Sequence, residues 1–258
     1  MEKVAVVCCY NNKEILESML ECGLRNQKNV EIERLFYCNQ FKSAAEAYNY
    51  ALDNSDAEFF VFLHQDIKFL DEYLLKKTIQ QLKLNSKGIY GLCGAIYKEG
   101  HTETCSNVYH GLQNKNIGKK IETVTKVDGL DEIFVAFHRS IVKLLKFDSK
   151  NFDGWHIYVE DLCLQAIQKD IDVFVLPYAA QHKNVLEMPH YMMVYNIYPK
   201  EYFMYLKRLR NKHYKKIHKI VCPCFTISTK GYHFFPRVIF AKCRADIKYY
   251  IRKWTMEH

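Results

Sequence analysis

The stretch FFVFLHQDIKF at residues 59–69 limits the possible folds more than any other part of the chain. Five consecutive apolar residues without alternation describe a strand buried on both faces, and such a strand needs helices on each side of its sheet. The run stops at His64-Gln65-Asp66, so polar groups collect at the strand's carboxyl end. Its neighbours fit the same plan. VAVVCCY (4–10) is a second buried-type strand, and NKEILESMLECGL after it places Ile15, Leu16, Met19, Leu20 and Leu24 at helical spacing. VEIERLFYC (30–38) is rich in β-formers and ends at Asn39-Gln40. SAAEAYNYALDN (43–54) opens on Ser43 with Glu46 three residues on, a capping-box pattern. This βαβαβ series predicts an α/β fold, a Rossmann-like and mostly parallel sheet flanked by helices, with ligand groups at the carboxyl ends of the strands. Those ends are Tyr10-Asn11, Asn39 and His64-Gln65-Asp66.

Further along, GIYGLCGAIY (88–97) reads as a Gly-broken strand and EIFVAFHRSIVKLL (132–145) as a strand passing into a helix. Residues 151–184 hold a turn, a helix near 160–169 and the strand DVFVLPY. A hydrophobic content of 49% with 14% aromatics supports a real core and excludes disorder of the whole chain. The ten cysteines lack paired CxxC spacing and several lie inside apolar runs, which favours reduced thiols over disulfides or a zinc site. No apolar stretch approaches the roughly 18–20 residues of a membrane helix. VAVVCCY is also too short for a signal-peptide core, so a cytoplasmic location is expected.

Charge divides the chain in two. Residues 200–258 carry fifteen Lys and Arg against three Asp and Glu, whereas residues 1–199 carry 22 against 26. In PKEYFMYLKRLRNKHYKKIHKI (199–220), Tyr202, Phe203, Leu206, Leu209, Tyr214 and Ile217 interleave with basic residues. Such a helix can lie on an anionic membrane surface at the inner face, or dock on the preceding domain with its charges in water. No nucleic-acid-binding signature accompanies the charge.

Taken in order, the strand with its YNN exit, the Ala-rich helix with AYNYAL, FFVFLHQD, GWHIYVEDLCLQA and the terminal AAQH resemble the family-2 glycosyltransferases of GT-A fold. The likeness is strongest to a bacterial-type branch whose metal motif reads His-x-Asp. It covers about residues 1–185 and implies a GT-A catalytic domain over 1–190, followed by a basic, aromatic-rich, mainly helical region over 191–258. In that family the acidic motif after the third strand holds a divalent metal that bridges the diphosphate of a nucleotide-sugar. The resemblance implies Asp66 as a metal ligand, with His64 beside it where many relatives have Asp, and His182 as a late third ligand. Mg2+ and Mn2+ both suit a carboxylate, and an imidazole tilts the choice toward Mn2+. Read without the resemblance, Asp66 is equally a strand-end turn and His182 a structural histidine.

The resemblance also implies an inverting transfer, which needs a carboxylate to take the proton of the acceptor hydroxyl. Relatives carry Glu-Asp-x-Asp-Leu or Tyr-Asp-x-Asp-Leu where this chain has Tyr-Val-Glu-Asp-Leu, so Val159 falls at the usual base. The base is expected to be Asp161, with Glu160 as the alternative; both also complement the positive end of a helix. Tyr10, Asn11, Asn39 and Gln65 are expected on the donor side, with Asn39 standing where relatives often use Asp to read uracil or ribose. Trp155, His156 and the pair Asp131-Glu132 are expected on the acceptor side, Trp155 being equally suited to a core and the acidic pair to capping or solvating a turn. The implied partners are a UDP-sugar or other nucleotide-sugar and a glycan or lipid-linked acceptor, in cell-surface glycan assembly. Two rivals stand beside this reading: a non-catalytic nucleotide- or glycan-binding relative, motivated by Val159 and His64, and a metal-dependent hydrolase using Asp66 and the histidines.

Overall fold

All five residues of FFVFL are almost completely buried, and their side chains alternate between two separate cores. In the computed structural model, which describes residues 2–111, 115–183 and 199–257, the chain begins with β1 (Lys3–Tyr10). Helix α1 follows as Lys13–Leu16, a π-helical turn Glu17–Glu21 and a last turn Cys22–Arg25. Next come β2 (Glu31–Cys38), α2 (Ala44–Asn54), β3 (Phe59–His64), β4 (Ile67–Phe69) and α3 (Leu74–Leu84). A run of short strands continues with β5 (Ile89–Gly91), β6 (Cys93–Lys98), β7 (His101–Ser106), β8 (Val108–His110), β9 (Lys115–Asn116), β10 (Thr125–Lys126), β11 (Gly129–Leu130) and β12 (Phe134–His138). After a 3-10 turn at Arg139–Lys143 come α4 (Tyr158–Ile167), β13 (Val173–Val175) and β14 (Ala180–His182). The chain closes with α5 (Pro199–His213), the hairpin β15 (Lys219–Cys222) and β16 (Phe225–Ser228), and α6 (Gly231–Glu257).

The main sheet has the order β10-β13-β5-β12-β3-β1-β2. As the βαβαβ pattern predicts, β2 and β3 both pair parallel to β1, and five of the seven strands run the same way. β12 runs against both of its neighbours. From β5 the chain reaches it through the short strands β6 to β11, with no helix among the described residues of that path, and a strand entered from the carboxyl end of its neighbours must be antiparallel. The start of β12 therefore lies beside the end of β3, and the His64 amide donates to the Ile133 carbonyl. This is how Asp131 and Glu132 reach the edge where His64 sits.

Alternation in β1 and β3 fills both faces. Ala5, Val7, Phe60 and Phe62 pack with α2 and α4, while Val4, Val6, Cys8, Phe59, Val61 and Leu63 pack with α1 and α3. Each fully buried Phe or Val contributes about 1.5–3 kcal/mol. At the start of α2 the Ser43 hydroxyl accepts from the Glu46 amide, as the capping box predicts, but the Glu46 carboxylate reaches the Lys42 amide, one residue earlier than the pattern requires. The ten cysteines are all free thiols.

The basic region is joined tightly to what precedes it. Tyr202, Phe203, Leu206 and Leu209 of α5 are buried in the same core as α2 and α4, so of the two readings of this helix the docked one holds. A Cβ at Gly154 would overlap the Tyr205 hydroxyl, and one at Gly129 would overlap the Val221 carbonyl, which shows how closely α5 and β15 approach the body. The expected boundary at residue 190 lies outside the described residues. Among the described residues no helix is long and apolar enough to cross a membrane.

Candidate active site

At the carboxyl end of β3 the chain makes a tight turn into β4, carrying His64 on the strand and Asp66 on the turn. β14 pairs antiparallel with β4, placing His182 opposite Ile67. His182 Nε2 then lies 3.2 Å from Asp66 Oδ1, and one ligand atom from each of His64, Asp66 and His182 falls within a 4.8 Å cluster. Three residues separated in sequence by up to 118 positions are thus brought together by strand pairing alone. Burial pushes the His64 imidazole down to about 4, opposed by Asp66 and reinforced by His182. At His182 burial is outweighed by the charge and hydrogen bond of Asp66, which hold it above its usual value; the same contacts hold Asp66 below its own, again against burial.

His110, which sequence reasoning missed, completes this arrangement. β8 runs parallel to β14, and His110 Nδ1 lies 3.2 Å from His182 Nδ1. A second partner on the far ring nitrogen fixes the tautomer and orientation of a ligating histidine. The only signal for it in the sequence is an apolar strand ending in His, the pattern that also ends FFVFLH. Two imidazoles and one carboxylate are a donor set that fits a divalent ion accepting nitrogen as well as oxygen.

The residues expected on the donor side lie along the same edge. Gln65 Oε1 accepts from the amides of Asn11 and Asn12 at 3.2 and 3.0 Å, and its Nε2 donates to Asn11 Oδ1 at 2.7 Å, so Gln65 fastens the exit of β1 to that of β3. Tyr10 pairs in register with Cys38, which puts Asn39 at the next strand end. Asn39 has φ 53°, a left-handed conformation that Asn tolerates better than most residues, and its side chain is exposed.

A carboxylate cluster forms the other wall. Asp131 Oδ1 accepts from the Ile133 amide, and the Cys224 thiol of the β15–β16 turn approaches Asp131 Oδ2 at 3.8 Å, so the C-terminal hairpin borders the site. Glu132 Oε2 is 3.5 Å from His156 Nδ1. Ile157 and Tyr158 at the start of α4, together with the Glu160 carboxyl, lie close enough to the Glu132 carboxylate to act on its titration. Ile157 is a buried β-branched residue held at φ 70°, a strained conformation that appears where surrounding packing overrules local preference. One oxygen of each acid, Glu132 Oε1 and Glu160 Oε2, is buried without a hydrogen-bond partner. Burial first, then Asp131, pushes Glu132 up to about 8; burial and Glu132 push Glu160 well above the ordinary range. Trp155 is 44% exposed, so it is a surface residue and not a core one.

Geometry sets Asp161, the residue expected as base, apart from this cluster. Its carboxylate is fully buried and turned toward α5, where Oδ1 accepts from His213 Nε2 at 2.7 Å and Oδ2 from Lys212 Nζ at 2.8 Å, while Gln165 Nε2 of its own helix donates to Oδ2 at 2.6 Å. Adjacent residues on a helix point about 100° apart. Glu160 therefore faces Glu132 while Asp161 faces α5.

The raised Glu132 carries a pH signature. Its carboxyl titrates near 4.5 when unfolded and near 8 when folded, so the folded chain retains a proton across that window and stability falls as pH rises from about 4.5 to about 8. Glu132→Gln is expected to match the wild type at pH about 4 and to exceed it by up to a few kcal/mol at pH about 8, measured by urea unfolding across that range. A difference that does not change with pH would rule this out.

A family model described as a glycosyltransferase-like family matches residues 5–217. No curated protein matches the sequence. In fold the chain is similar to S. aureus TarS 1–349, with TM-score 0.53 and 11% identity over 82% of this chain and 65% of that one. It is similar also to GalNAc-T7 with UDP, GalNAc and Mn2+, at TM-score 0.54 and 9% identity over 82% and 55%, and to TarS 1–349 in complex with UDP-GlcNAc, at TM-score 0.50 and 13% identity over 82% and 66%. The chain thus spans less than two thirds of each of these structures, and at such identities the likeness concerns the fold.

Proposed function

The chain belongs to the glycosyltransferase-like family, with a GT-A fold, and from that premise we propose that it transfers a sugar from a nucleotide-diphospho-sugar, a UDP-sugar first, to a hydroxyl acceptor with inversion. The observation that carries the reading is the convergence of His64, Asp66 and His182 at the carboxyl end of the sheet. These three would hold Mn2+, which supplies charge neutralisation on the diphosphate leaving group. Neighbours of the same fold have been seen with UDP, UDP-GlcNAc, and GalNAc with Mn2+, which supports a donor of this class. Tyr10, Asn11 and Asn39 line the donor side, with Gln65 holding the two strand exits together.

Proton removal falls to the Glu132–Glu160 pair. Once the pair loses its proton, one carboxylate takes the acceptor hydroxyl's proton as the oxygen attacks the anomeric carbon, while the nucleotide departs on the opposite side. Asp131, His156 and the exposed Trp155 would contact the acceptor. A glycan or lipid-linked acceptor at the inner membrane face, in cell-surface polysaccharide assembly, fits an enzyme with a basic C-terminal region. The domain division at about residue 190 is a functional one on this reading: donor, base and acceptor contacts before it, support of the site and membrane approach after it.

A panel of nucleotide-sugars, tested with Mn2+, with Mg2+ and with chelator, and read by mass spectrometry of products, tests the proposal. Metal-dependent transfer or donor hydrolysis, rising with pH toward about 8, is expected. Tight nucleotide binding without turnover on any donor would favour a non-catalytic relative, a reading supported by Val159 at the position where relatives place the base.

A further inference from the structure

Among its described side chains, helix α6 is anchored near its start. Phe234 is fully buried, Val238 packs against the core, and the Arg210 guanidinium lies over the rings of Phe234 and Phe235 at 5.4 and 4.8 Å. Beyond these contacts Tyr232, Ile239, Phe240, Ile247 and Ile251 are each between 59% and 71% exposed. At about 100° per residue these five fall within a single arc of about 120°. Exposed Arg237, Lys242 and Arg244 lie on either side of that arc, and the helix carries six Lys and Arg against two Asp and Glu. The contrast with α5, whose Tyr202, Phe203, Tyr205, Leu206 and Leu209 are buried, is direct. A continuous apolar stripe in water is costly unless something covers it.

We propose that α6 is a membrane-contact helix that lies in the headgroup layer of an anionic bilayer, with the Tyr232–Ile251 stripe in the acyl boundary and its basic flanks on lipid phosphates. The helix is not apolar enough to span, and an amphipathic helix with a cationic polar face is the form that lies in the interface plane. Charge selects this occupant over a second copy of the chain, because two α6 stripes packed together would set their basic flanks against each other. The expected membrane surface thus moves from the 199–220 segment, where the apolar residues are used by the core, to α6. The inference extends the reading that the acceptor is membrane-borne, and the two can fail separately.

Sedimentation of the full chain with phosphatidylcholine vesicles, and with vesicles containing phosphatidylglycerol as well, tests it. Binding is expected to favour the anionic vesicles by more than tenfold and to weaken as salt rises. The double variant Ile239→Ser/Phe240→Ser, at positions too exposed to support the core, should lose more than tenfold. The triple variant Arg237→Gln/Lys242→Gln/Arg244→Gln should lose about 100-fold, at about fivefold per basic residue near the surface. Circular dichroism confirms that the variants remain folded. Equal binding to both vesicle types, or unchanged binding of the serine variant, overturns the proposal. So does a dimer that the serine variant disperses in the absence of vesicle binding. Transfer to a short soluble acceptor without vesicles should proceed in all three proteins; its absence counts against the transfer reading and not against this one.

Discussion

Asp66→Asn is expected to leave the chain folded and to lower Mn2+-dependent donor turnover by about 10³-fold. The side chain of Asp66 contacts His182, whereas the strand pairing that holds the turn runs through its backbone carbonyl and the Lys183 amide. An amide of the same shape keeps the turn and removes the only carboxylate among the three clustered ligand atoms. Losing a charged ligand withdraws several kcal/mol of stabilisation of the developing negative charge, and each 1.36 kcal/mol is tenfold in rate. Titration calorimetry with Mn2+ and a turnover assay on the same preparation decide the matter. Unchanged Mn2+ affinity would remove Asp66 from the site.

The second large effect is on stability. Asp161→Asn should cost about 3–5 kcal/mol, because it leaves Lys212 without one of its carboxylate partners next to a buried amide and breaks the bond from His213. Lys212 also reaches Asp148 at 2.7 Å, which spares part of the loss. The measurement is urea unfolding together with turnover per folded molecule at a temperature where the variant is intact. A catalytic base would show the opposite split, with normal stability and turnover down by about 10² or more.

The buried strand FFVFL and the parallel order of β1, β2 and β3 were legible because a non-alternating apolar run can satisfy only a sheet covered on both faces. The strand-end positions of Asp66 and His182 were legible from the apolar runs before them, but only the resemblance joined the two as partners, a pairing that the strand register makes in space. Which of Glu160 and Asp161 faces Glu132 was not legible. It depends on the rotation of α4 about its axis, fixed by the left-handed Ile157 at its start and by Lys212 and His213 about 50 residues away. His110 was hidden because the β8–β14 pairing that brings it to His182 leaves no local pattern. The apolar residues of 199–220 were visible as a stripe, but an amphipathic pattern does not say whether protein or lipid will cover it. Only the packing of Tyr202, Phe203, Leu206 and Leu209 into the α2–α4 core decides that.

The grip of α5 on Asp161 has an evolutionary corollary. A helix that supplies the cation and the imidazole bonded to an acid in another helix cannot be traded between homologous enzymes as an interchangeable cassette, since a recipient lacking the acid would leave the buried imidazole without its carboxylate and the lysine with one partner fewer. Lineages should therefore change positions 161, 212 and 213 in concert, and chimeras joined between α4 and α5 should fold only when both halves come from sequences that agree at those three sites.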